Sequence, residues 1–191
     1  MERIEANGTS ISFKRSGEGP PLLLLHGAEA DHSMFDAFGA ALAPHFTVIA
    51  YDQRDSGGTR NPLVPYRLIE LADDLAALIA ALGLARAHVF GTSFGGAIAQ
   101  VAAIRHAARI DRLVLAGSED LLIPPAHTLS LAREIAGART AVIPGVGHVG
   151  TIQDPAAVAA EVVAFLQSEK PEDLVEENDH GGRERGSRHI L

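Results

Sequence analysis

The sequence predicts an α/β fold in which a mostly parallel, twisted β-sheet carries helices on both faces. Short apolar runs such as Leu22–Leu25 and Thr47–Tyr51 alternate with longer segments whose apolar residues recur every three or four positions. The runs are typical of strands buried on both faces, and the longer segments are typical of amphipathic helices. Such alternation favours a parallel sheet with right-handed crossovers. The 191 residues, 47% of them hydrophobic, suffice for one domain with a sizeable core.

The composition excludes several classes of partner and site. A net charge of −8 argues against nucleic acids and anionic membranes as partners, because both require a basic face on the protein. The absence of cysteine excludes disulfides and thiol catalysis, and the nine histidines show no metal-ligand spacing. Met1–Glu5 lacks the apolar core of a signal peptide, and the longest strongly apolar segment, Leu75–Ala85, is too short to span a bilayer. We expect a cytoplasmic protein without a metal or a cofactor.

The first elements are expected to be a hairpin, a buried strand and a helix. Residues 4–13 alternate apolar and polar side chains around an Asn-Gly pair, which is the strongest short-range signal of a β-hairpin. A turn rich in glycine and proline, residues 17–21, leads into the strand that ends at His26. After a loop, residues 34–43 have helical character and are followed by a proline.

The middle of the chain is expected to contain two strands and two helices. Thr47–Tyr51 is the second buried strand. From Tyr66 to Leu82, leucines recur at steps of three and four residues, which predicts an amphipathic helix that Gly83 ends. The apolar run Ala87–Phe90 predicts the next strand, and a helix is expected to extend to about residue 107.

The last part of the predicted core domain, residues 1–168, holds two strands and two helices. The strands are residues 113–116 and 140–143, separated by a helix over 124–137. Asp154 as N-cap, followed by proline at the first helical position, begins the final helix. Residues 169–191 are charged, with almost nothing to bury, and this predicts a solvated or flexible tail. A docking arm for a second subunit is the alternative interpretation of the tail.

Ser93 lies at the centre of a G-x-S-x-G pattern between a predicted strand and a predicted helix, which is typical of a nucleophile elbow. A serine hydroxyl is a poor nucleophile unless a strained turn holds it clear of the backbone beside a base. Gly91 and Gly95 lack the Cβ that would collide where strand and helix approach each other. An ordinary turn rich in glycine and serine is the alternative, so the rest of the chain must decide between the two.

Two further side chains follow predicted strands in the order that a nucleophile elbow requires. Asp120 comes after the next strand and His148 after the one beyond it, and the reactive loops of a parallel sheet gather at the carboxyl ends of its strands. His148 would take the Ser93 proton, and Asp120 would orient the imidazole. Glu119 is the alternative acid if the strand before it shifts its register by one residue.

Two backbone groups and one loop complete the candidate site. The N–H of Phe94, directly after the nucleophile, and the N–H of Ala28, in the loop after the first buried strand, are the candidate oxyanion donors. We expect His26 to organise that loop rather than to act in catalysis. Three charged residues are expected to hold their own loop through hydrogen bonds: Asp52, Arg54 and Asp55.

In these motifs the chain resembles the α/β-hydrolase superfamily, in particular its cofactor-free esterase, enol-lactonase and haloperoxidase-like branch. The matching segments are residues 25–27, 51–57, 91–96, 117–120 and 147–148. The resemblance implies a triad of Ser93, Asp120 and His148, and serine as nucleophile separates the chain from the dehalogenase and epoxide-hydrolase branches. It also implies a compact version without a lid domain and with about one strand fewer, because the segments around Ser93 and Asp120 are close in sequence.

The expected function is that of a serine hydrolase, which cleaves small carboxylic esters, thioesters or lactones through an acyl-Ser93 intermediate. One alternative is a cofactor-free perhydrolase or acyltransferase that uses the same acyl-enzyme. The other is a non-catalytic binding domain that has lost its lid and forms a homodimer through the shortened sheet edge or the tail.

Overall fold

The computed structural model describes residues 1–116, 147–148 and 150–168. Within these residues the strands are β1 (Glu2–Ala6), β2 (Thr9–Ser16), β3 (Pro21–Leu25), β4 (Thr47–Tyr51), β5 (Ala87–Thr92) and β6 (Ile110–Ala116). The α-helices are α1 (Asp36–Leu42), α2 (Leu68–Ala81), α3 (Phe94–Arg105), α4 (Gly150–Gln153) and α5 (Pro155–Leu166). Strands and helices follow each other along the chain as the sequence predicts.

The strands form one sheet in the order β1-β2-β4-β3-β5-β6. Strand β2 pairs antiparallel with β1 and β4, whereas the β4–β3, β3–β5 and β5–β6 pairs are parallel. The mostly parallel sheet predicted from the sequence is therefore confirmed. Because β3, β4 and β5 run in the same direction, their carboxyl ends meet at one edge of the sheet, and the candidate site lies there.

Helices cover both faces of the sheet, and strand β3 shows this most directly. All four leucines of Leu22–Leu25 are fully buried. Leu23 and Leu25 pack in the cluster that includes α2 and α3, whereas Leu22 and Leu24 pack in the cluster that includes α1 and α5. Burial on both faces explains why the apolar run is continuous, and each of these side chains contributes about 1.5–3 kcal/mol.

The beginning of the chain forms the predicted hairpin. Asn7 and Gly8 have φ angles of 49° and 69°, as a tight two-residue turn requires. Pro21, which the sequence assigns to a turn, is instead the first residue of β3. A proline can begin a strand because the missing N–H costs least there.

The helix predicted over residues 34–43 is divided in the structure. A 3₁₀ helix spans His32–Phe35, and α1 follows it directly. The 3₁₀ helix begins earlier than predicted because the side chain of Asp31 caps it, accepting a hydrogen bond from the Ser33 N–H at 2.8 Å.

The final helix begins as predicted, with the Asp154 carboxylate accepting from the Ala157 N–H at 3.0 Å. The strand predicted over 140–143, the helix predicted over 124–137 and the charged tail over 169–191 lie outside the described residues. No helix in the described part of the chain combines the length and the apolar character needed to cross a membrane.

Candidate functional site

Ser93 stands at the sharp turn between β5 and α3. Its φ and ψ angles are 52° and −123°, a conformation that non-glycine residues rarely adopt and that holds the side chain clear of both elements. A Cβ on Gly91 would lie 2.6 Å from the Gly95 carbonyl oxygen, and one on Gly95 would lie 2.5 Å from the His26 carbonyl oxygen. Both glycines are therefore required by close approach of the backbone, as the sequence predicts.

The structure brings Ser93 and His148 together across 55 positions of sequence. The Oγ of Ser93 and the Nε2 of His148 are 2.9 Å apart, which is hydrogen-bonding distance. The loop that carries the imidazole is tied to α4, because the Gly147 N–H donates to the Gln153 side-chain oxygen at 2.8 Å. Both side chains are partly exposed, so a substrate can reach them.

The proposed acid cannot be placed in the same way. Asp120 and its alternative Glu119 both lie outside the described residues, and the third member of the triad stays a prediction from the sequence. The hydrogen bond between Ser93 and His148 involves Nε2 and leaves Nδ1 as the ring atom on which an acid would act.

One candidate oxyanion donor, Phe94, directly follows the nucleophile, and the other, Ala28, follows a residue that packs against it. Phe94 is the first residue of α3, and the first N–H groups of a helix have no partner within it. Gly27 packs directly against Ser93, since a Cβ on that glycine would lie 3.4 Å from the serine Cβ and 3.9 Å from its Oγ. Ala28 directly follows Gly27 in the same loop, and its role as an oxyanion donor stays a prediction from the sequence.

His26 is buried and makes its contacts within the loops rather than with Ser93 or His148. Its Nδ1 lies 2.8 Å from the Gly27 carbonyl oxygen, and its Nε2 lies 3.2 Å from the Gln53 backbone nitrogen. Burial lowers the pKa of His26, while the hydrogen bond to Gly27 and the nearby Asp52 act in the opposite direction. The predicted role of His26 as loop organiser is confirmed by these contacts.

Comparison with known proteins identifies the family. The family described as the alpha/beta hydrolase fold matches residues 20–141, which is more than half of the chain. The chain belongs to the α/β-hydrolase family. The resemblance to this superfamily that the motifs indicate is thereby confirmed.

Solved structures show how far the similarity of this chain to known proteins extends. The enol-lactonase from Burkholderia xenovorans LB400 has a TM-score of 0.81 at 23% identity, and the match covers 87% of this chain and 100% of that one. At this level of identity the likeness shows the fold alone. A meta-cleavage product hydrolase from Pseudomonas fluorescens IP01 is 30% identical, with a TM-score of 0.58 over 62% of this chain and 46% of that one.

A curated relative is similar over a shorter stretch. The 2-(acetamidomethylene)succinate hydrolase from Mesorhizobium japonicum is 31% identical over 104 residues, which is 54% of this chain and 37% of the relative. The chain spans between 32% and 46% of the length of curated relatives such as this one.

Asp52 anchors the loops around the candidate site. Its fully buried carboxylate accepts from the backbone N–H and the ring of His32, at 2.9 and 2.7 Å, and from the Gly58 N–H at 2.7 Å. Gly57 has φ 46° and packs against the carboxylate so closely that a Cβ would overlap it. The loop-holding role predicted for Asp52 is confirmed.

The same place holds a group of side chains that could ligate a metal ion. Asp31, His32 and Asp52 each offer a ligand atom, and these atoms lie within 4.8 Å of one another. Both carboxylates already accept hydrogen bonds from backbone N–H groups, which accounts for the clustering. Sequence spacing gave no signal of this group, because the hydrogen bonds to Asp52 join positions 20 residues apart.

The other two predicted loop residues also make internal contacts. Arg54 forms a two-point ion pair with the buried Asp74 of α2, and the Asn7 side chain donates to the same carboxylate at 2.7 Å. Asp55 accepts from the Tyr66 hydroxyl at 2.9 Å. The side chains of Arg54 and Asp55 thus hold their loop in place, as predicted. The sequence analysis did not identify Asp74 as the partner of Arg54.

Proposed function

We propose that the protein is a serine hydrolase, which cleaves small carboxylic esters, thioesters or lactones through an acyl-Ser93 intermediate. The observation that carries the proposal is the 2.9 Å distance between the Ser93 Oγ and the His148 Nε2, at a strained turn between strand and helix. The names of two relatives at 30% identity or more, a meta-cleavage product hydrolase and a 2-(acetamidomethylene)succinate hydrolase, support a hydrolytic reaction.

The proposed reaction begins with proton transfer from the Ser93 hydroxyl to the Nε2 of His148. The Oγ attacks the substrate carbonyl carbon, and the oxyanion that forms accepts hydrogen bonds from the N–H groups of Ala28 and Phe94. Collapse of the tetrahedral intermediate breaks the bond to the leaving group, which takes the proton from His148. A water molecule then loses a proton to the imidazole and attacks the acyl carbon. Collapse of this second tetrahedral intermediate breaks the bond to the Ser93 Oγ, which takes the proton back from His148 as the acid leaves.

Asp120 completes the proposal as the group that orients His148 and stabilises its cationic form. The order of serine, acid and histidine along the chain supports this assignment, because it is the order that follows a nucleophile elbow in this family. Ser93 and His148 come from different loops, so the chemistry depends on the sheet that holds those loops together.

A fluorophosphonate probe tests the proposal. We expect it to modify Ser93 and to abolish turnover of p-nitrophenyl acetate, and we expect Ser93→Ala to lose both properties. Ser10→Ala is the matched control, because β2 is separated from β5 by two strands. An unlabelled and inactive wild-type protein would refute the serine mechanism and favour a non-catalytic binding domain.

Adding hydrogen peroxide or an alcohol separates hydrolysis from the other acyl-transfer reactions. A hydrolase passes the acyl group mainly to water, whereas a perhydrolase or an acyltransferase passes it mainly to the added acceptor. The ratio of the products, measured on the same labelled enzyme, decides between them.

A further inference from the structure

We propose that Gln53, acting through His26, is a positioning residue that directs the Ala28 N–H at the oxyanion, an inference that rests on the acyl-serine chemistry proposed above. The Gly27 carbonyl and the Ala28 N–H belong to one peptide plane, and in a trans peptide they point in opposite directions. A group that holds the carbonyl therefore sets the direction of the N–H.

The imidazole of His26 holds the Gly27 carbonyl. Its Nδ1 lies 2.8 Å from that oxygen, and since a carbonyl can only accept, Nδ1 carries the ring proton. Its Nε2 lies 3.2 Å from the Gln53 backbone N–H, which can only donate, and 3.1 Å from the Ser56 hydroxyl, which can donate or accept. These contacts fit the neutral tautomer that carries its proton on Nδ1, and the ring links the loop after β4 to the peptide between Gly27 and Ala28.

Gln53 contacts the loop after β3 through its side chain as well as through its backbone N–H. The side-chain amide donates to the His26 carbonyl at 2.8 Å, so Gln53 holds the peptide before Gly27 directly. It holds the peptide after Gly27 through the His26 ring. The side chains of His26 and Gln53 belong to residues that are only 3% and 5% exposed. Water is therefore a poor substitute for either bond, and loss of the amide leaves a buried carbonyl without its donor.

The loop that Gln53 holds, residues 26–28, also packs against the nucleophile. Gly27 packs against Ser93, and Gly95 packs against the carbonyl groups of Leu25 and His26. The end of β3, the loop after β4 and the start of α3 thus form one packed unit. A shift of the loop changes the distance between the Ala28 N–H and the oxygen that must become negative, with little change in the surface on which the substrate first binds.

Gln53→Met tests the inference, because it removes the amide and keeps the length of the side chain. We expect kcat to fall about 10- to 100-fold while KM stays within about twofold, since an oxyanion donor acts mainly in the transition state. The inhibition constant of a boronic acid, which forms a tetrahedral adduct with serine, should rise in parallel with the loss of kcat. Gln100→Met makes the same change at a partly buried position of α3 and is the matched control.

Two variants of His26 separate the hydrogen bond from the bulk of the ring. His26→Asn offers an amide N–H near the position of Nδ1, so it should keep more of kcat than His26→Leu, which offers no donor. Rates are expressed per site titrated with a fluorophosphonate, so that unfolded protein is not counted. If the histidine variants do not fold, the comparison of Gln53→Met with Gln100→Met decides whether the inference holds.

Unchanged kcat and boronate affinity in Gln53→Met would overturn the inference, as would a loss that appears only in KM. Equal losses in folded His26→Asn and His26→Leu would also overturn it. These outcomes all require an active wild-type enzyme, so they differ from failure of the proposed function, in which the wild type is neither labelled nor active.

Discussion

Replacing Gly95 by alanine should damage both the stability and the activity of the protein. The added Cβ would lie 2.5 Å from the His26 carbonyl oxygen and still closer to that of Leu25. Carbon and oxygen atoms that are not bonded need about 3.5 Å, so the start of α3 must move away from β3 by about 1 Å. Overpacking of this kind costs about 1–3 kcal/mol, and a shift of that size beside a nucleophile costs about 100-fold in rate.

Gly39→Ala is the matched control for Gly95→Ala. Gly39 also lies within a helix, α1, but a Cβ there would meet a single Val48 methyl carbon at an ordinary 3.6 Å. Both substitutions gain about 0.5–1 kcal/mol from the better helix propensity of alanine, so the difference between the variants isolates the clash. The prediction is that Gly39→Ala is neutral or more stable than wild type, while Gly95→Ala is less stable than Gly39→Ala by about 1–3 kcal/mol.

Urea unfolding followed by circular dichroism measures the stability of the two variants, and p-nitrophenyl acetate turnover measures their activity. Equal unfolding midpoints for Gly95→Ala and Gly39→Ala, together with equal kcat values, would show that α3 does not approach β3 as closely as described. The steric account of the elbow would then be wrong.

Two further predictions concern buried polar groups. Arg54→Met should lower the free energy of unfolding by about 3–5 kcal/mol, because the buried Asp74 carboxylate loses its cationic partner and keeps only the Asn7 amide as a side-chain donor. The double variant Arg54→Met/Asp74→Leu should recover most of that loss in urea unfolding, and a double variant as unstable as the single one would contradict the explanation. Because burial lowers the pKa of folded His26 below its usual 6.5, the unfolded chain binds the proton more readily, and stability should fall as the pH drops below about 6.5. His26→Asn should reduce that slope between pH 6.5 and 5 in parallel urea titrations, and an unchanged slope would count against burial as the cause.

The sequence alone determined most of the fold, because the deciding signals are local. The continuous apolar run of β3 indicates a strand covered on both faces, and the Asn-Gly pair indicates the hairpin at the beginning of the chain. Glycines two positions either side of Ser93 indicate a turn in which strand and helix backbones nearly touch. Each of these features depends on neighbouring residues, so no strand order was needed to predict it.

Only the tertiary structure decided which distant groups meet. The Gln53 amide reaches the His26 carbonyl across 27 positions because β4 and β3 are adjacent in the sheet, and Arg54 meets Asp74 because α2 packs over β4. Ser93 and His148 come within 2.9 Å across 55 positions. Hydrogen bonds act over about 3 Å, whereas a sequence pattern records spacing along the chain, so such contacts are defined only once the sheet has assembled.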